Sequence, residues 1–306
     1  MSALTLKGPY WVTVRQHRLA LWTVPALVVA GLAAVLALRA WADAPQDGSL
    51  YANHAYGVLR LFMEFAGKSL VFLPLLAGAF VAGPMTAREL ESGTWRLALT
   101  QSSTPKAWLG AKVVVAATAV ALGSAALAGV YRLGWTGVSG TYRLHWADRG
   151  AYEATGPVLV GYCLLGVALG VLVGQLVRRT LAAMAVTGLL TGLTLLVMGF
   201  VRWSLMPTVT ETAPFPGRSV LMPNSGLLME SGFLTASGGR LPYDTCFSSD
   251  KSRDDCLVDM NVTARYQEFH PSSHYWPTQL IETSILLLLA AAALYAAFRL
   301  VKARRG

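Results

Sequence analysis

Residues 69–101 read SLVFLPLLAGAFVAGPMTARELESGTWRLALTQ. The first nineteen of these carry no Asp, Glu, Lys or Arg, and then Arg88, Glu89, Glu91 and Arg96 fall within nine positions. Charge vanishes again over Val113–Tyr131. Crossing a hydrocarbon layer of ~30 Å at 1.5 Å per residue takes roughly 20 residues. The stretch therefore reads as a membrane span, a short charged turn, and the approach to the next span.

The same reading extends outward. Charge-free windows recur at Leu19–Leu38, Ala154–Val177, Thr180–Val201 and Thr283–Phe298, and the last lengthens through Leu280 and Ile281 if Glu282 sits at the headgroups. Charged residues are 13% of the 306-residue chain and hydrophobic ones 54%, against about 25% charged in soluble domains. A soluble enzyme is excluded. The expectation is an all-α membrane protein with six transmembrane helices near 19–39, 66–87, 108–131, 155–177, 180–203 and 279–300. Leu19–Leu38 is too long for the apolar part of a signal peptide and reads as a retained first helix.

Basic residues set the orientation. With both termini in the cytoplasm, the inside segments hold thirteen Lys and Arg but only two acids, Glu89 and Glu91. The net charge of +9 thus reads as topology, with no basic patch for nucleic acid. Residues 5–18 fit an N-terminal helix lying at the interface, apolar side to lipid. Residues 204–279, rich in Pro, Gly, Ser and acids, form a long extracytoplasmic segment between helices five and six. Cys246 and Cys256 lie there, ten apart; an oxidising compartment favours a disulfide over two free thiols.

Several local features carry expectations. Gly166, Gly170 and Gly174 recur every four residues, so one helix face can meet another backbone closely; the neighbouring helix could belong to this chain or to a second copy. Glu64 and Lys68 are an i,i+4 pair at the edge of span two, either a solvated pair or part of a transport path. Thr104 and Pro105 start a helix, as N-cap and first helical residue.

Enzyme motifs are missing. There is no phosphate-binding G-x-x-x-x-G-K-[ST], no dinucleotide glycine fingerprint, no H-E-x-x-H and no nucleophile elbow. His270 and His274 are four apart but have no Cys or carboxylate at zinc-ligand spacing, so no metal site and no cofactor are expected in this chain. If the chain moves something across a membrane, the energy must come from elsewhere.

At this point the charged turn becomes specific. ARELESGTWRLALTQSSTPKAWLGAK, residues 87–112, resembles the loop between spans two and three of ABC-2-type transporter permeases, with Glu89, Glu91, Gly93, Thr94, Leu97, Thr100 and Lys112 at the matching positions. VRQHR (14–18), AFVAGPMTAREL (79–90), LVRRT (176–180) and HYWPTQLIETS (274–284) resemble actinobacterial members of the same family, in order. Nothing is recognisable over about 208–260. The resemblance implies a half-transporter: a homodimer of permeases with two copies of a separate ATP-binding subunit that holds ATP and Mg, and residues 84–108 docking on that subunit. Within that loop, Ser92–Gly93 can end the helix, Thr94 can cap a short new one, and Trp95, Ala98 and Leu99 share a face on which Trp95 and Leu99 either anchor the partner, pack back onto this protein's own helices or dip into lipid. The function so implied is export of an apolar or amphipathic compound (drug, antibiotic, lipid or peptide), with Phe72, Met198, Arg202 and Trp203 as candidates for cargo contact. The alternative is a non-transporting sensor or resistance protein binding an outside ligand through 204–279.

Overall fold

The computed structural model describes residues 9–44, 54–95, 104–140, 144–217, 222–223, 225–248 and 250–303. The chain divides into a helical unit, 1–202 with 279–306, and a second unit, Trp203–Thr278.

In the helical unit, α1 (Pro9–Gln16) and α2 (Arg18–Asp43) are separated by His17 alone. A short helix does precede span one, and it packs on the helix that begins at Pro105. Burial and the nearby Lys112 charge hold the His17 imidazole below its ordinary pKa. Next come α3 (His54–Leu70), α4 (Leu73–Leu75), a π-helical turn over Leu76–Ala82, and α5 (Gly83–Glu91). The π turn has a local cause. Pro84 has no N–H to give the Phe80 carbonyl, and the Gly83 N–H bonds back five residues to Gly78 O. Then follow α6 (Pro105–Trp135), short α7 (Ala151–Thr155), α8 (Val158–Val177) and α9 (Thr180–Val201). The Thr104 hydroxyl accepts from the Ala107 N–H, 3.1 Å away, as an N-cap should.

Among the described residues six helical runs are long and apolar enough to cross a membrane: Leu21–Asp43, His54–Glu91, Pro105–Trp135, Val158–Val177, Thr180–Ser204 and Ser272–Ala303. The second, of 38 residues, exceeds the roughly 20 that a span requires. The helical run that carries span two therefore starts at His54, before residue 66, and Glu64 and Lys68 lie on it.

Span four is the centre of this unit. Fourteen of the twenty residues of α8 are buried. Its glycine face packs on span two of the same chain, which resolves the choice left open by sequence. An added Cβ at Gly166 would lie 2.7 Å from Pro74 O, and one at Gly170 2.7 Å from Gly83 N. One apolar core joins Ala82 and Met85 of span two, Trp108 and Leu109 of α6, Val167 and Val171 of α8, and Ala297 and Val301 of the last span.

The second unit corrects the all-α expectation. It holds a four-stranded antiparallel sheet in the order β1-β4-β2-β3, made of β1 (Val209–Pro214), β2 (Leu227–Thr235), β3 (Arg240–Pro242) and β4 (Val262–His270). A short helix, α10 (Arg253–Asp259), precedes β4, and α11 (Tyr275–Ala303) follows it into the last span. Phe215, Phe233, Leu257 and Val262 form the sheet unit's core. Cys246 and Cys256 are joined by a disulfide, with their Cα atoms 6.0 Å apart.

His270 closes β4. It is 2% exposed, its Nε2–H donates to the Trp203 carbonyl at 3.0 Å, and its Nδ1 faces His274 Nδ1 at 3.1 Å. With Nε2 donating, His270 Nδ1 is the acceptor of that second bond when the ring is neutral. Burial, opposed by the Trp203 bond, holds the imidazole below its ordinary value of 6.5. The unfolded chain then takes up the proton first, so this contribution is complete above pH 6.5 and shrinks as the pH falls below it. Thermal melts should show a midpoint that drops between pH 7 and pH 5, with a flatter profile for His270→Gln; equal slopes for the two proteins would remove His270 as the cause.

Candidate functional site

The described part of the charged turn, residues 87–95, follows span two, and several of its polar groups are tied into the bundle. Glu89, in the last turn of α5, accepts from Trp108 Nε1 at 2.8 Å and from Lys112 Nζ at 2.7 Å. Lys112 is 2% exposed; its ammonium also donates to the Met85 carbonyl at 3.1 Å and stands 5.3 Å from the Trp108 ring centroid. A buried ammonium without a partner would cost several kcal/mol, roughly the desolvation of one ion. Glu89 and the Met85 carbonyl meet that need, and in doing so they fix the end of span two to the start of span three.

Glu91 reaches a third span. Its carboxylate accepts from the Thr180 N–H at 2.9 Å, at the open N-terminus of α9, where free N–H groups and the helix dipole favour a negative charge. α5 then ends at Ser92, and Gly93 takes φ +73°, with open space where a Cβ would be. Here the left-handed backbone alone accounts for glycine. The Ser92 and Thr94 hydroxyls are 2.9 Å apart, and helical backbone resumes at Thr94. Arg88, Glu91, Ser92 and Thr94 are exposed. Trp95 is half-buried and packs on the apolar core that contains Trp108 and Met85. Leu97, Leu99 and Thr100 lie outside the described residues.

A second polar centre lies at the other end of the spans. Arg202, 3% exposed, forks both ways. Its Nε and Nη2 donate to the two oxygens of Glu282 at 2.8 and 3.0 Å, and its Nη1 is 2.8 Å from Glu153 Oε1. The guanidinium carbon stands 3.9 Å from the Tyr152 ring centroid. Tyr152 and Tyr162 donate their hydroxyls to Glu282 at 3.1 and 2.5 Å. Glu153 Oε2 accepts from the Gly150 N–H at 2.6 Å. Burial and the Glu282 charge raise the Tyr152 phenol far above its ordinary value, so it stays a donor. Gln279 closes the arrangement, donating to Tyr152 O at 2.7 Å and accepting from Val158 N at 3.1 Å.

The remaining candidates are dispersed. Glu64 and Lys68 pair at 2.7 Å, with the ammonium half-exposed. Phe72 is exposed at the break between α3 and α4, Met198 is buried in α9, and Trp203 begins the sheet unit. Arg202 is enclosed by two carboxylates and an aromatic face. Among the described residues no three His, Cys, Asp or Glu side chains are grouped as metal ligands.

Residues 45–202 match the model of the family described as ABC-2 membrane transporter related. The chain belongs to this family. The matched stretch contains spans two to five, the corner at 88–95, and both Glu153 and Arg202 of the second centre. No individual curated protein and no solved structure matches the chain. As an ABC-2 member with six membrane-crossing helices it is a multi-pass membrane protein and an ABC transporter permease, and membership implies partnership with an ATP-binding subunit.

Sequence reasoning missed Glu153, Glu282, Tyr152, Tyr162 and Gln279. A signal was present in Glu282, the single acid in an apolar helix. It is fully buried within the protein. A carboxylate so enclosed needs a cation, and Arg202 supplies it.

Proposed function

We propose that the chain is the transmembrane subunit of an ATP-driven exporter in the plasma membrane. Two copies and two separate ATPase subunits form an alternating-access pathway for an apolar or amphipathic compound. Both termini face the cytoplasm, the sheet unit lies outside, and ATP with its Mg ion resides in the partner. The corner at 84–108 is the docking element. The observation that carries this reading is the triple anchorage of that corner. Glu89 ties span two to span three, Glu91 ties it to span five, and the exposed positions flanking these two carboxylates are Arg88, Ser92 and Thr94. A push on such a turn moves three spans together, and the equilibrium between inward-open and outward-open forms then follows the difference in docking free energy.

The test is association with the ATPase. Arg88→Glu, on the exposed face, should reduce co-purification about tenfold, a change of ~1.4 kcal/mol, with an unchanged melting midpoint. Trp95→Ala with Leu99→Ala should abolish stimulation of ATP hydrolysis. Intact association and stimulation in both variants would sink the docking assignment. A second reading is favoured by the folded, disulfide-closed sheet unit: a membrane sensor that binds an outside ligand without moving it. Efflux from vesicles containing permease and ATPase separates the two.

A further inference from the structure

The sheet unit contains a cleft of about 180 Å³ whose chemistry the permease reading does not use. Its floor is one face of the sheet. Phe233 opposes Arg265 and Ser231 opposes Gln267 in the β2–β4 register, so all four side chains share that face. Arg253 and Asp254, from the first turn of α10, form one wall, and Tyr243 forms another.

Two guanidinium groups converge on this cleft, and neither is saturated. Arg253 donates to the Tyr243 carbonyl at 2.6 Å and stands 4.4 Å from the Tyr243 ring centroid. Arg265 stands 4.9 Å from the Phe215 ring centroid, and its nearest carboxylate, Asp254, is 3.9 Å away on a side chain that is 73% exposed. Nε of each arginine, and Oε1 of Gln267, are buried without a hydrogen-bond partner. Buried polar atoms are seldom left so. The unit as a whole is acidic, with eight carboxylates and five basic residues, yet two of those five meet here. Three other acids near the sheet are engaged elsewhere: Glu268 with Arg240, Glu230 with the Tyr266 hydroxyl, and Asp259 with Lys251; Glu211 of β1 stands opposite Gln267 but does not line the cleft.

We propose that this cleft binds a small organic carboxylate, its charged end on Arg253 and Arg265 and its flat apolar body on the exposed Tyr243 ring. The paired donors of a guanidinium match the two oxygens of a carboxylate. Among the residues that line the cleft, Arg253 and Arg265 against Asp254 leave a single net positive charge, which suits a monoanion and opposes a phosphate dianion. The exposed ring offers apolar area that an inorganic anion would not use. The inference needs no assumption about transport, and it holds whether the unit captures cargo or senses a ligand.

The experiment is calorimetric titration of the full chain in detergent with phenylacetate, its neutral amide phenylacetamide, acetate and inorganic phosphate. Phenylacetate should bind saturably, and at least tenfold more tightly than the amide or phosphate. Arg265→Gln should weaken phenylacetate tenfold or more with the melting midpoint and the disulfide intact. Tyr243→Ala should weaken phenylacetate several-fold and leave acetate unchanged; this variant decides the matter if Arg265→Gln fails to fold. Absence of saturable binding, equal binding of acid and amide, equal binding of phosphate, or an unchanged phenylacetate affinity in the Tyr243 variant would each overturn the proposal.

Discussion

Replacing Arg202 by Met should destabilise the helical unit by about 3–5 kcal/mol, the range for removing one partner of a buried ion pair. Two carboxylates depend on this guanidinium. The side chains of Glu153 and Glu282 are 4% and 0% exposed. Without Arg202, Glu153 retains the Gly150 N–H and Glu282 retains two tyrosine hydroxyls, which are neutral donors and cannot balance two charges. Arg202→Lys keeps the charge but cannot fork to both carboxylates and stack on Tyr152, so an intermediate loss is expected. Glu282→Gln should cost less, because Arg202 keeps Glu153. Thermal or denaturant unfolding in detergent, followed by a helix signal, measures all three. If Arg202→Met stays within about 0.5 kcal/mol of wild type, as for a surface substitution, the ion cluster is not structural. The same series tests the cargo assignment of Arg202. A cargo ligand would lose transport in Arg202→Lys without any change in the melting midpoint.

The cluster also shows which parts of the molecule were legible in sequence. Spans are legible because the requirement is local: a run without charge, long enough to cross. Gly93 is legible for the same reason, since a helix C-terminus needs a residue that tolerates positive φ. Glu89, Glu91 and Lys112 were marked by their position in the charged corner, though not their partners. The Arg202 cluster depends on residues 49 and 80 positions away, and no window of sequence contains it. Each member taken alone has an ordinary explanation at a membrane edge. The sheet was lost for a similar reason. β2 and β4 pair across an intervening strand and helix, and irregularities between Leu228 and Glu230 and between Leu234 and Thr235 break the alternation that marks a strand. Gly232 interrupts it further, at a point where an added Cβ would sit 2.9 Å from the Tyr266 ring.

Gly170→Leu should be the most damaging single change in the apolar part of the bundle. Glycines every four residues announced a close helix approach, and span two is what approaches. At Gly170 a Cβ would lie 2.7 Å from Gly83 N and 2.8 Å from Gly78 O. Both are backbone atoms, and they cannot rotate away as the tip of a side chain could. The Gly83 N–H and the Gly78 carbonyl are also bonded to each other in the π turn, so moving either disturbs the irregular backbone that Pro84 imposes. Overpacking a well-filled core costs about 1–3 kcal/mol, occasionally more, and a clash against fixed backbone belongs at the upper end. The control is Gly129→Ala in α6, where nothing lies within 4 Å of an added Cβ. There the loss of unfolded-chain freedom should stabilise by about 0.4–1 kcal/mol. Melting midpoints of the two variants should therefore move in opposite directions. Because span two carries the corner at 88–95, Gly170→Leu should also uncouple ATP hydrolysis from the permease, whereas Gly129→Ala should not. Equal midpoints for Gly170→Leu and wild type would mean that spans two and four do not meet along the glycine face.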